Sequence, residues 1–329
     1  MVTPFAFRNK PIMPLSPIAT EDLQAHLPQG ILPLQSLAAL VDQGAVRSSD
    51  PLDDDQIQPA SIDLRLGARA WRVRASYLPR GRKVSDRLID VQMHEMDLSK
   101  GAVFEAGCVY IAELKESLNL PKGISARANP KSSTGRVDVF VRLLSDYGNY
   151  FDDVADGYSG PIYLEIAPQT FSVLARSGTR LNQLRLKRGT SPRLYTADCE
   201  VDLTGDLVGF RARRHAGIID LDHVGGHDPK KYWEPLYQSG GQLLLDPGEF
   251  YILARRPTSR SRFCRRPRCC RSTPASASSA STMPAFSIRA SARPRPKAWA
   301  PRACSRSVAT KRLSSWRTVK PSHAWSMSR

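Results

Sequence analysis

From residue 57 to residue 186 the chain is written in short alternating pieces, and this constrains its fold more than any other feature. Ile62, Leu64 and Leu66 alternate with polar positions, and Ile162, Leu164 and Ile166 do the same. Alternation with a period of two puts successive side chains on opposite faces of a strand. Residues 139–144 form a short apolar run. Gly101, Gly107, Pro121-Lys122-Gly123, Asp156-Gly157 and Ser177-Gly178 punctuate these pieces with turn residues. Many short strands without helical periods between them predict an all-β fold, a sandwich or jelly-roll rather than βαβ units. Residues 1–50 are Pro-punctuated, with one predicted short helix near residues 36–43, and read as an N-terminal extension.

The 329 residues allow about two domains. The net charge of +17 belongs to one end. Residues 255–329 hold 19 of the 48 Lys and Arg and no Asp or Glu, so residues 1–254 hold 29 basic and 31 acidic residues, a net of −2. The same 75 residues lack Gly, Asn, Gln and Tyr but contain 16 Ser and 8 Pro. Two readings compete. One is a basic arm that binds nucleic acid or another polyanion. The other, which we prefer, is a stretch read out of frame, because shifted GC-rich codons yield Arg, Ser, Pro and Ala. Regrouping the bases of residues 282–291 permits the string YAGFFDPGF, and residues 303–329 permit LLEVRSHEAPFILEDGQTVARMVYE. A disordered basic tail without a packed core is then expected. Six cysteines, four of them in this tail (Cys264, Cys269, Cys270 and Cys304), do not make a disulfide framework. No apolar run is long enough for a membrane helix, and the N-terminus lacks the layout of a secretion signal, so a cytoplasmic location is expected.

A faint internal repeat runs through the chain. VFEAGCVYIA at 103–112 resembles LLDPGEFYILA at 244–254, with Gly107 matching Gly248, Tyr110 matching Tyr251 and Ile111 matching Ile252. LEIAPQTFSVLARSG at 164–178 resembles LEVRSHEAPFILEDG in the regrouped tail. The expected organisation is an extension at 1–50, a β-domain at 51–192, a partial second copy at 193–254 and the shifted tail at 255–329.

Several residue groups could carry chemistry. Pro130-Lys131-Ser132-Ser133-Thr134-Gly135-Arg136 gathers hydroxyls, two cations and a glycine, which suits a polyphosphate. Taken alone, a Ser/Thr/Gly turn between strands is the commoner reading. Asp63 is a lone acid in a strand pattern and reads as a turn followed by an edge strand. Glu165 lies on the face opposite Leu164 and Ile166; that face is either solvent or, if it lines a pocket, one from which Glu165 acts as a base. His215, Asp220, Asp222, His223, His227 and Asp228 are ligand types, but the Gly225-Gly226 turn suggests a polar surface loop and no metal site is assigned. Cys108 and Cys199 read as isolated core or surface thiols. The zinc-deaminase pattern, H-x-E followed by P-C-x-x-C, is absent.

In order along the chain, QIQPASIDLRLG (56–67), NPKSSTGR (129–136), ADGYSGPIYLEI (155–166) and SGTRLNQLRL (177–186) resemble the dCTP deaminase and dUTPase family, most of all the long, duplicated bacterial 2′-deoxycytidine 5′-triphosphate deaminases. The resemblance implies a distorted β jelly-roll, duplicated here with a truncated second copy. It implies a homotrimer with active sites between subunits. Residue by residue, Lys131, Ser132, Ser133, Thr134, Gly135 and Arg136 fall in the triphosphate segment, with Arg136 also placed to orient the water. Asp156 falls near the sugar, Gln183 near the phosphates, and Glu165 on the catalytic glutamate, with Tyr163 and Leu164 beside it among the substrate-binding residues. Magnesium would accompany the triphosphate and no zinc would be used. The implied reaction is hydrolytic deamination of dCTP to dUTP and ammonia, in the supply of dTTP precursors. Alternatives are a dUTP pyrophosphatase with an Asp156-held water, a bifunctional enzyme, or an inactive nucleotide- or polyanion-binding remnant. Residues 146–154, DYGNYFDDV, depart from the loop that precedes the third motif in short deaminases, and no lid motif follows Leu186.

Overall fold

The computed structural model describes residues 27–190, 200–255 and 285–289. In chain order the first part contains β1 (Gly30–Ile31), α1 (Leu34–Asp42), β2 (Val46–Ser48), β3 (Ile57–Gln58), β4 (Ser61–Val73), α2 (Val84–Val91) and β5 (Gln92–Asp97). It continues with β6 (Ala102–Phe104), β7 (Val109–Asn119), β8 (Ile124–Pro130), α3 (Ser132–Arg136), β9 (Val139–Ser145), β10 (Asp153–Val154), β11 (Ser159–Pro168), β12 (Val173–Ala175) and β13 (Arg180–Arg188). The second part contains β14 (Leu207–Ala212), β15 (Ile219–Asp220), α4 (Pro229–Tyr232), β16 (Trp233–Tyr237), β17 (Phe250–Ala254) and β18 (Ala285–Arg289).

The main sheet runs β10-β8-β13-β4-β7-β11-β9, with β1, β2, β3 and β5 added along it, and every pairing is antiparallel. The expected all-β architecture is therefore present. Its hinge is β4, whose first half pairs with β13 and whose second half pairs with β7. The ladder to β7 shifts between Leu66 and Ala70. Gly67 lies in that shift, and a Cβ there would stand 2.6 Å from Glu113 Cγ and 3.1 Å from the Glu113 carbonyl oxygen. Only a residue without Cβ lets the two strands cross so closely. The corner folds the two halves of the sheet around one core in which Ile62, Leu64, Leu66, Leu164, Ile166, Leu184 and Leu186 are fully buried. Asp63 thus sits on a strand paired along its length, not at an edge.

Residues 27–48 belong to this domain rather than to an extension outside it. β1 pairs β13 and β2 pairs β7. α1, one residue or two from its expected place, buries Leu37 and Leu40 against the core. An apolar stripe on so short a helix is stable only when packed.

The second part forms another sheet, β16-β14-β17-β18, and is stitched to the first by β15, which lies parallel to β12. Phe171 meets Tyr232 and Trp233 edge-on, with ring centroids 5.9 and 5.4 Å apart. Arg176 binds both oxygens of Asp220 and also reaches Asp222; its hydrogen bonds hold the Asp220 carboxyl down at about 2. The repeat reappears as geometry. Tyr110 OH accepts from the Glu105 N–H at 2.9 Å, and Tyr251 OH accepts from the Asp246 N–H at 2.9 Å. Gly107 and Gly248 take φ of 79° and 84° in the turn between. A tyrosine closing its own preceding turn, with glycine in the left-handed region, is one local design used twice.

The tail at 255–329 lies mostly outside the described residues. At 285–289 the expectation of disorder does not hold: this backbone pairs with β17 and closes an edge that would otherwise be unpaired.

Candidate active site

The chemistry-bearing residues collect at two places. The first is a groove of about 400 Å³ lined by Gln58, Pro59, Ala60, Ser61, Asp63, Lys131, Ser132, Gln183 and Arg185. It forms because β4, β8 and β13 are neighbours, which brings three separate motifs together. Ser61 Oγ donates to Gln183 Oε1 at 2.9 Å, and Gln183 Nε2 faces the Pro130 carbonyl at 3.4 Å. Lys131 Nζ pairs with the buried Asp63 carboxylate. Two cations, two hydroxyls and two side-chain amides around an open groove are groups that can hold an oxyanion chain. The sequence alone does not single out Asp63, Gln58 and Arg185 as site residues; they surface only when strand neighbours are known.

The second place is Glu165 on β11. Leu164 and Ile166 point into the main core, as the alternation required. The opposite face is not solvent. Segment 71–91 folds over it and forms a smaller core of Trp71, Val73, Val84, Leu88, Ile111 and Leu144, with Tyr77, Phe151 and Tyr163 packed alongside. Glu165 is consequently 2% exposed. Burial pushes the Tyr77 and Tyr163 hydroxyls up. Arg142, directly opposite in the β11–β9 register, donates to Glu165 Oε1 from Nε at 2.8 Å and also from Nη2. Glu165 Oε2 is buried with no hydrogen-bond partner.

The divergent segment 146–154 builds the rest of this place. Asp146 caps α2 by accepting from the Val84 N–H at 2.8 Å. The Phe151 ring lies 3.9 Å beneath the Arg142 guanidinium carbon. Asp152 accepts from the Leu143 N–H at 2.8 Å, and burial pushes its carboxyl up to about 6 against the pull of that N–H and of Arg142 and Arg127.

Other expected site residues fall elsewhere. Thr134 is buried and spends its hydroxyl on the Leu181 carbonyl at 3.0 Å, so it is a structural tie within the segment. The Gly135 N–H closes the α3 turn on the Lys131 carbonyl. The Leu164 side chain is in the core and so is withdrawn from any ligand. Ser133 and Arg136 are exposed and do not line the groove. Asp156 is exposed and accepts from the Gly123 N–H at 2.7 Å, a turn contact. Tyr163 is half-buried beside Glu165, as the alternative face requires. Cys108 is a half-buried free thiol that accepts from Arg72 at 3.1 Å, while Cys199 lies outside the described residues. Among the described residues no group of three or more His, Cys, Asp or Glu is placed to hold a metal ion, and no helix is long and apolar enough to cross a membrane.

Comparison with known proteins gives the same family on both parts of the chain. Residues 28–190 match the 2′-deoxycytidine 5′-triphosphate deaminase (DCD) N-terminal domain, and residues 194–260 match the C-terminal domain. A dCTP deaminase of Natronomonas pharaonis is 30% identical over 165 residues, 48% of this chain and 81% of that protein. A dUMP-forming dCTP deaminase of Streptomyces coelicolor is 29% identical over 160 residues, 48% of this chain and 80% of that protein. The crystal structure of 2′-deoxycytidine 5′-triphosphate deaminase from Agrobacterium tumefaciens is 44% identical and matches with a TM-score of 0.65 over 69% of this chain and 76% of that one. With both domain models matched in order, and with the groove and the buried glutamate on the strands that carry the motifs, the chain belongs to the 2′-deoxycytidine 5′-triphosphate deaminase family.

Proposed function

We propose that the chain deaminates dCTP hydrolytically, yielding dUTP and ammonia, and that Glu165 is its proton-transfer group. The observation that carries this reading is the Glu165 carboxylate, buried on a central strand with one oxygen bonded to Arg142 and the other without a hydrogen-bond partner. Water adds to C4 of the cytosine ring, and the exocyclic amine leaves. Glu165 takes a proton from the water and returns one to N3 or to the departing amine. As water adds to C4, the C=N electron pair moves onto N3, and a donor held in a dry site stabilises the charge that develops there. Lys131, Ser132, Gln183 and Arg185 around the groove bind the triphosphate, which enters as its magnesium complex. A lysine at position 131 supplies charge without the bidentate fork of an arginine. The reaction needs no zinc on this reading, which the missing H-x-E and P-C-x-x-C pattern supports.

Glu165 is not among the residues lining the groove. That separation supports a trimer in which the groove of one subunit meets Glu165 of the next. A cytoplasmic site of action fits a nucleotide substrate. A second reading, that the enzyme continues to dUMP, is favoured by the relatives named dUMP-forming. Anion-exchange separation of dCTP incubated with the chain and magnesium tests both readings. A dUTP peak with matching ammonia is expected; dUMP and pyrophosphate would establish the second; Glu165→Gln is expected to bind nucleotide without turnover.

A further inference from the structure

We propose that Arg142 is the positioning residue for Glu165: it holds Oε1 so that Oε2 alone is presented for proton transfer. The proposal rests on the reading of Glu165 as the proton-transfer group and names the device that aims it.

The fold contains its own control. Arg65 and Glu116 form another buried arginine–carboxylate pair, with Glu116 1% exposed. There both carboxylate oxygens are satisfied. Oε2 accepts from the Arg65 N–H at 2.8 Å, while Oε1 accepts from Arg65 Nε at 2.8 Å and Gln56 Nε2 at 2.7 Å. The Arg65 fork goes on to the Pro51 carbonyl at 2.9 Å and to Ser48 Oγ at 2.8 Å. Such a pair is complete and fastens residues 48–56 to β4 and β7.

The Arg142–Glu165 pair is built differently. Nε and Nη2 converge on the same oxygen, Oε1, instead of bridging both. Oε2 stays buried and unpartnered. A buried carboxylate oxygen without a donor carries a desolvation cost, so a pair serving only stability would close it. Oε2 has the arrangement of an oxygen reserved for a proton that arrives with substrate.

Arg142 is itself immobilised. Ser76 Oγ accepts from Nη2 at 2.9 Å, and Phe151 stacks on the guanidinium at 3.9 Å. The Phe151 ring comes from the divergent segment 146–154, and that segment therefore backs the arginine that aims the glutamate. Rigid backing matters because a small misplacement of a proton-transfer group is costly in rate.

The test is steady-state kinetics of the full chain on dCTP for Arg142→Ala, Arg142→Lys and Glu165→Gln, with thermal melting of each. Arg142→Ala is expected to lose kcat on the order of a hundredfold while KM stays within about threefold. Dilute guanidinium ion, which fits the vacated slot over Phe151, is expected to restore part of the kcat of Arg142→Ala; sodium at equal ionic strength is not. Arg142→Lys, which keeps the charge but loses the planar fork, is expected to recover less than guanidinium does. Unchanged kcat in folded Arg142→Ala, or a loss confined to KM, overturns the proposal. If Arg142→Ala loses its cooperative melting transition, Phe151→Leu replaces it: a fall in kcat at constant KM is expected, and unchanged kcat overturns the proposal. Turnover by Glu165→Gln would instead overturn the reading of Glu165, a separate result.

Discussion

At the scale of single residues, the structure separates groups that look alike in the sequence. Glu165 lies between Leu164 and Ile166 and Glu116 between Lys115 and Ser117; both are buried on strands, and these flanks do not tell which of the two is fully paired. Their partners do. Arg65 is 51 residues from Glu116, and Arg142 is 23 from Glu165. Lys131 and Ser132 are readable because phosphate-type donors cluster in one contiguous motif, and Gln183 only through the resemblance to the family. Asp63, 68 residues from Lys131, reads only as a lone acid because its partner is on another strand. The buried staple yields a direct prediction. Glu116→Ala leaves the Arg65 guanidinium buried without its close carboxylate, held only by the Pro51 and Asp50 carbonyls, Ser48 Oγ and Asp53 at 3.5 Å, and the loss is expected to approach the roughly 3–5 kcal/mol of a broken buried pair. Urea unfolding measures this. A loss below about 1 kcal/mol, the range of exposed ion pairs, would show that residues 48–56 relax and rehydrate the arginine.

At the scale of elements, alternation finds the strands and their faces, while β4 shows what it cannot find. Its thirteen residues cross from one half of the sheet to the other at Gly67. A glycine between Leu66 and Ala68 reads as a strand end until the opposing Glu113 is known to lie against it. The outer face of β11 is undecided in the sequence for the same reason: whether Glu165 meets water depends on segment 71–91, whose apolar residues are too sparse to reveal what they cover. The Asp152 turn joining β9 to β10 carries a testable pH dependence. A carboxyl raised in the fold adds stability that is full below its unfolded value of 3.8 and is lost as pH rises through about 6. Asp152→Asn keeps an oxygen for the Leu143 N–H but does not titrate. The variant is therefore expected to gain on the parent between pH 4 and 6.5, by roughly 2–3 kcal/mol at 1.36 kcal/mol per unit. A difference that does not change with pH would mean that Asp152 is hydrated in solution.

At the scale of the whole molecule, the two halves of the site pose a geometric question. Lys131 and Gln183 line a groove made by β4, β8 and β13, while Glu165 lies on β11 beneath segment 71–91 and is not part of that lining. One chain acting alone would have to bring a nucleotide's phosphates and its base to two places. Cyclic assembly removes the difficulty, because a rotation can set the groove of one subunit against the Glu165 side of the next. The consequence is complementation. On the proposed function, Lys131→Ala spoils the phosphate half and leaves the glutamate; Glu165→Gln does the reverse. Each variant alone is expected to show little turnover at low dCTP. When the two are unfolded together and refolded as mixed oligomers, roughly a quarter of the interfaces should pair an intact groove with an intact glutamate. Turnover should then return in that proportion, and only after subunits have exchanged. Light scattering gives the oligomer size, and differential tagging confirms that the subunits have mixed. Mixed oligomers without recovered turnover would place both halves of the site within one chain, and a monomeric mass would do so before any kinetics were measured.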